Sequence, residues 1–189
     1  MNSLRSFVYS LRWYFVGMMG LFLLCSGISF YFSSLFSFFD PYLEELFTQA
    51  STLEGWHLFW FIFWNNVRAA FMGMIGGIAF GLIPVGIGIM NGLVLGYVGA
   101  LVTAEVGLSS LWRLLPHGIF ELPALFLALA LGLRLGVASG ELVYSVIVGK
   151  KRDDFMQVLR FSCMAFIKIV MPLLLLAGII ESWLISAGV

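Results

Sequence analysis

The chain has 189 residues, 61% of them hydrophobic and 11% charged, with a mean hydropathy of +1.04, a composition outside the range of water-soluble domains. Ten Lys and Arg offset ten Asp and Glu, so no basic surplus is available to neutralise phosphates, and nucleic acid is excluded as a partner. The partner this composition demands is the lipid bilayer, and at roughly 20 residues per crossing the length holds five or six helical spans and no soluble catalytic domain.

Arg5 and Arg12 precede a charge-free run from Trp13 to Phe39, longer than the roughly 7–15-residue apolar core of a cleaved signal and followed by no A-x-A site. An uncleaved first span over about 13–32 is expected. Cys25 and Cys163 form no C-x-x-C pair and no disulfide-scaffold spacing. The next loop carries Asp40, Glu44, Glu45 and Glu54 without Lys or Arg. Within it Asp40-Pro41 reads as an N-cap followed by proline at the first helical position, and Leu43, Leu46, Phe47 and Ala50 share one face. These residues predict an amphipathic helix over about 41–50, lying on the bilayer.

From Ala69 to Ala104 there are 36 residues without a formal charge; as one helix they would extend about 54 Å, against a hydrocarbon core of roughly 30 Å. The run must fold back, and Gly81-Leu82-Ile83-Pro84-Val85-Gly86 is its natural break. Span two is therefore expected over about 57–82 and span three over about 86–105. Ser109 and Ser110 read as the cap of a short interfacial helix through Leu115. Pro116 and Pro123 then bracket His117 and Glu121, which predicts a broken or re-entrant segment around 116–123. Span four follows over about 119–140, with a helical pattern able to continue to Val148. After the charge cluster Lys150-Lys151-Arg152-Asp153-Asp154 comes span five, over about 161–182. The expected fold class is all-α, a polytopic transmembrane helix bundle of about five spans forming a single transmembrane domain over 1–189.

Placing Arg5, Arg12, Lys150, Lys151, Arg152 and Arg160 in the cytoplasm leaves Arg113 as the one basic residue in an outer loop, the distribution that the positive-inside rule favours. This predicts a cell-membrane protein with a cytoplasmic N-terminus, an outer C-terminus and the 41–50 helix outside. Gly73, Gly77 and Gly81 recur every four residues in span two, and Gly88, Gly92 and Gly96 in span three. Ala124, Ala128, Gly132, Gly136 and Gly140 do so in span four. In lipid, helices associate through close backbone approach over such small-residue faces, so spans two to four should form the tight core. Spans one and five, rich in Phe and Leu, should face lipid or a second copy in a homo-oligomer.

An ionisable group at membrane depth costs at least roughly 2.5–3.5 kcal/mol on insertion scales, so it needs a partner or a wet cavity. Because spans two and four run in the same direction, Asn65, Asn66, Arg68, His117 and Glu121 fall toward the same outer side and form the candidate polar site, with Arg68 paired to Glu121. Asn91, Arg134 and Glu141 form a second, inner cluster. Against these stand plainer roles: the asparagines can serve as interhelical hydrogen-bonding groups, and Arg134 and Lys168 can snorkel to the inner interface. His117 and Glu121 are two metal-ligand types where a structural zinc site needs four, and H-E-x-x-H is absent. No metal, no cofactor and no catalytic residue are expected.

Three segments resemble the stage II sporulation protein M family of multi-pass membrane proteins. They are Phe63-Trp64-Asn65-Asn66-Val67-Arg68-Ala69-Ala70, Asn91-Gly92-Leu93-Val94-Leu95-Gly96, and Leu115-Pro116-His117-Gly118-Ile119-Phe120-Glu121-Leu122-Pro123-Ala124 with Gly132-Leu133-Arg134-Leu135-Gly136. The likeness covers about residues 60–136, and the H-G-x-x-E-L-P-A segment is its most specific part. For sporulating members the resemblance implies a membrane subunit acting with cell-wall-degrading partners during engulfment.

Two functions compete on the sequence. One is a small permease- or channel-like module, in which the outer cluster binds a polar solute or lipid head group. The other is a non-catalytic membrane scaffold subunit recruiting cell-envelope enzymes, with membrane or cell-envelope proteins as its partners and the polar cluster fixing helix register. An intramembrane hydrolase lacks Gly-x-Ser-x-Gly, paired aspartates and a ligand triad.

Overall fold

At membrane depth each backbone N–H and C=O has to be satisfied within its own segment, so long apolar runs in this composition form helices. The computed structural model describes residues 3–107, 115–149 and 155–186. In chain order its helices are α1 (Leu4–Ser10), α2 (Arg12–Tyr31), α3 (Asp40–Ser51), α4 (Gly55–Ile75), α5 (Leu82–Val106), α6 (Leu115–Val148), α7 (Phe155–Ala165) and α8 (Met171–Ser186). A 3-10 segment, Ser33–Phe39, joins α2 to α3, a 3-10 turn, Gly76–Ile78, extends α4, and a π-helical turn, Phe166–Val170, joins α7 to α8. Five stretches are long and apolar enough to cross a bilayer: Arg12–Tyr31, Gly55–Ile78, Leu82–Val106, Gly118–Val148 and Phe155–Leu184. The expected cap helix at Ser109–Ser110 and the Lys150–Asp154 cluster lie outside the described residues.

Helix α6 is the axis of the bundle. Its membrane-crossing stretch is 78% buried against 22% for α2, and α2, α4, α5 and α8 all pack on it. Its sequence explains the position, because Ala124, Ala128, Ala130, Gly132, Gly136 and Ala138 let neighbours approach on several sides while Leu127, Leu129, Leu131 and Leu135 fill the space between them. Around 116–123 the structure differs from the sequence expectation: α6 is unbroken from Leu115, with Pro123 inside it. Pro116 stands in the first turn, where a missing N–H has no intrahelical acceptor to lose, and Pro123 forfeits one bond, to the Ile119 carbonyl. A single lost bond does not end a helix whose following turns are wholly buried.

The fold-back between the second and third spans falls at Ala79–Gly81, three residues before Pro84. Phe80 and Gly81 take positive φ values of 55° and 79°, which reverse the chain, and Pro84 then sits harmlessly in the first turn of α5. The spaced glycines divide into two separate seams. A Cβ on Gly77 would overlap the Gly132 backbone, one on Gly132 the Gly73 carbonyl, and one on Gly136 the backbone at Gly81, so these four glycines with Gly77 set the α4–α6 seam. Gly92 and Gly96 face α2 instead: a Cβ on Gly92 would lie 2.6 Å from the Phe22 carbonyl oxygen, and one on Gly96 would overlap that of Ser26. Gly88 meets side-chain tips alone, the methyl of Met18 and, at 3.4 Å, Cδ1 of Leu129. Thus α2, expected at the periphery, is clamped along one face to α5 and exposes the other, which carries Trp13, Val16, Leu23 and Leu24.

Asp40, read as a cap, is used otherwise. It is itself helical, and its Oδ1 accepts a hydrogen bond of 2.5 Å from the Tyr97 hydroxyl. Phe39 and Leu43 are buried against Tyr97 with Leu93, Val94 and Val98 around them. Tyr97 lies nine residues before the end of α5, about 14 Å along the axis, so the chain entering α3 dips back along the bundle before rising to α4. The helix is therefore anchored at one end within the bundle, where a purely surface-lying helix was expected.

Candidate functional site

A cavity of about 550 Å³ lies among α3, α4, α6 and α8. On α4 the positions Leu58, Phe61, Ile62, Asn65 and Asn66 recur at helical spacing and turn one side toward it. Helix α3 contributes Leu46, Phe47, Ala50 and Ser51, so the amphipathic face read from the sequence covers the cavity. The acids come from two other helices, Glu121 near the start of α6 and Glu181 near the end of α8. Asn66 is eleven residues into α4, about 17 Å from its start, which puts the polar groups well inside the bilayer.

The result is an apolar vestibule with a polar end of two amides and two carboxyl groups. Glu121, Glu181 and Asn66 are half-buried and Asn65 is exposed. Beneath them Val67, Ala70 and Met74 of α4 pack into one buried cluster with Ala124, Ala128 and Leu131 of α6, and the Gly77–Gly132 approach closes the helix pair further along. Access is thus from the α3 end of the bundle. Two carboxylates can hold a cation, the amides can donate to or accept from the same solute, and the apolar walls favour hydrophobic substituents. Among the described residues no three His, Cys, Asp or Glu side chains converge.

The sequence-derived site is only partly assembled here. Asn65, Asn66 and Glu121 come together. His117 stands one turn before Glu121 on α6, and its side chain lies outside the described residues. Arg68 does not join the site: it is exposed on α4, it is absent from the cavity wall, and among the described residues no ion pair links it to Glu121. The reason is angular, since Arg68 follows Trp56, Trp60 and Trp64 at four-residue spacing, and these tryptophans all face outward.

In the second cluster Arg134 Nη1 lies 4.0 Å from Glu141 Oε2, both on α6, whereas Asn91 donates from Nδ2 to its own helix at the Ile87 carbonyl, 2.8 Å away. The inner group is therefore an intrahelical pair without Asn91. Sequence reasoning missed Glu181. Its signal was available, because it is the sole acidic residue from Phe155 to Val189. It also missed Asp40–Tyr97, a contact between residues 57 positions apart for which no local pattern exists.

Five apolar crossings, four of them around a buried central helix, with acids and amides gathered in a cavity at membrane depth, define an integral membrane protein with an internal polar site. Residues 18–184 match the family described as Stage II sporulation protein M, and the chain belongs to that family. No curated protein and no solved structure matches it.

Proposed function

We propose that this protein is a non-catalytic, permease-like module whose cavity binds a cationic solute with apolar substituents from the outer side of the cell membrane. The observation that carries this reading is the meeting of Glu121 and Glu181, from separate helices, with Asn65 and Asn66 in one apolar-walled cavity. Acids at membrane depth are retained where a function uses them, and two of them beside amides suit an ammonium head group better than an anion. Passage to the other side requires α4 and α6 to part below the cavity, so the conformation described here is the outward-accessible one. The outer assignment of the α3 end follows from the basic-residue distribution. Self-association through the exposed faces of α2 and α8 belongs to the same reading.

Binding of a fluorescent alkylamine to purified protein in neutral-lipid vesicles tests it. Glu121→Gln and Glu181→Gln should each weaken binding about tenfold, a loss of about 1.4 kcal/mol, while Glu105→Gln, at the end of α5, leaves it unchanged. Equal binding by all variants would refute the site. The scaffold reading is favoured by one observation, the outward position of Arg68, and predicts that cavity variants which fold retain full function.

A further inference from the structure

We infer that the outward face of α4 around Arg68 is a docking surface for a transmembrane helix of another protein, one that carries a carboxylate near its middle. The inference stands independently of the cavity. Arg68 is the fourteenth of the 24 residues from Gly55 to Ile78, so at 1.5 Å per residue it lies about 20 Å from one end of the span and about 15 Å from the other. With a hydrocarbon core of roughly 30 Å, it is close to the bilayer midplane.

Around it the exposed residues are mostly apolar: Trp64 is 58% exposed, Phe71 45% and Met72 48%, with Asn65 the polar exception at the cavity edge. Arg68 is charged at every physiological pH, and among the described residues no hydrogen bond or ion pair engages it. A guanidinium so placed is compensated by none of the described residues, nor by a head group, because both interfaces are farther away than an arginine side chain extends. The Cα–Cβ bond moreover leans toward Trp64, along the longer of the two distances.

What completes it must bring a negative charge to the midplane on an otherwise apolar surface. Among the described residues a second copy of this chain offers none. Among the described acids, Asp40 is bonded to the Tyr97 hydroxyl within the bundle, Glu44, Glu45 and Glu54 belong to α3 and the turn after it, and Glu105 to the last turn of α5. Glu121 and Glu181 line the cavity, and Glu141 pairs with Arg134. Charge complementarity at this depth therefore selects a different helix, Leu-rich or aromatic enough to cover Trp64 and Phe71 and bearing one Asp or Glu opposite Arg68. Arginine's planar fork suits a bidentate carboxylate.

The test uses the full chain reconstituted in phosphatidylcholine vesicles with synthetic Leu-rich transmembrane peptides of 24 residues, one with a central Glu and one with Leu in its place, and reads association by energy transfer between labels. The Glu peptide should bind at least tenfold more tightly than the Leu peptide. Arg68→Leu should abolish the preference without lowering the melting temperature, since it removes a charge from a lipid-facing position. Arg68→Lys should retain part of the preference. Equal binding of the two peptides, or a preference that survives Arg68→Leu, would overturn the inference. So would self-association of the protein alone that depends on Arg68, which would make a second copy the occupant. An Arg68-dependent preference for phosphatidylglycerol vesicles with no discrimination between the peptides would assign the site to a lipid phosphate and overturn it equally.

Discussion

Asp40 and Tyr97 show how one side-chain bond can position an element with no other deep anchor. The Tyr97 hydroxyl donates to the carboxyl group that opens α3, and Phe39 and Leu43 close around it. Tyr97→Phe keeps the ring and removes only the hydroxyl, so it should cost about 1–2 kcal/mol and raise amide hydrogen exchange across α3 before it affects α6; unchanged exchange in α3 would mean the bond does not hold the helix. Arg68 and Glu121 behave differently. Because no ion pair joins them among the described residues, the effects of Arg68→Gln and Glu121→Gln on stability, whatever their sign, should add in the double variant to within about 0.5 kcal/mol, as read from the midpoints of denaturant unfolding. A rescue in the double variant would place the two side chains in contact.

Among the helices, the same four-residue glycine spacing serves three outcomes that depend on what stands opposite. Gly96 abuts the Ser26 carbonyl, which cannot move without displacing α2, whereas Gly88 faces the flexible end of Met18. Gly96→Ala should therefore lower the melting temperature markedly and Gly88→Ala hardly at all, although both sit on one stripe of α5. By the same argument Gly77→Leu, directed into the Gly132 backbone, should disrupt the bundle, and Gly20→Leu, with open space beyond its Cα, should be tolerated. Equal midpoints across these pairs would show that the helices yield where backbone contact implies they cannot. Element breaks follow equally local causes. The π-helical turn Phe166–Val170 precedes Pro172, which cannot donate to the Lys168 carbonyl and so forces the hydrogen-bond register to shift.

For the whole molecule, the basic residues predict a definite orientation. With Cys25 and Cys163 replaced by alanine, a Glu45→Cys variant should react with a membrane-impermeant maleimide added to intact cells; reaction only after the cytoplasmic face is opened would invert the topology. The proposed self-association through α2 and α8 predicts a detergent-corrected mass above the 21.0 kDa of one chain, unaltered by Arg68→Leu because that face is reserved for a different partner. A mass equal to one chain would remove the oligomer and leave the cavity reading intact. Burial of α6 by four neighbours while α2 remains largely exposed places the rigid centre away from the face where α3 covers the cavity. Rearrangement should therefore begin at α3.

Hydropathy, charge spacing and proline placement were enough to read five crossings, the amphipathic face of α3, the fold-back after span two and the convergence of Asn65, Asn66 and Glu121, because each depends on the period of one helix or on the direction in which it crosses the bilayer. The sequence could not reveal which helix is central or which neighbour each glycine stripe would meet, since small residues permit close approach without naming a partner. Nor could it separate Arg68 from Glu121. The spans run parallel, but the rotation of α4 about its own axis decides whether a side chain faces the cavity or the lipid, and that rotation is set by the Gly77–Gly132 seam. Glu181 reaches the cavity for the same kind of reason, through the packing of α8 against α4 at Gly178 and Phe59, a contact between residues more than a hundred positions apart that only the assembled bundle determines.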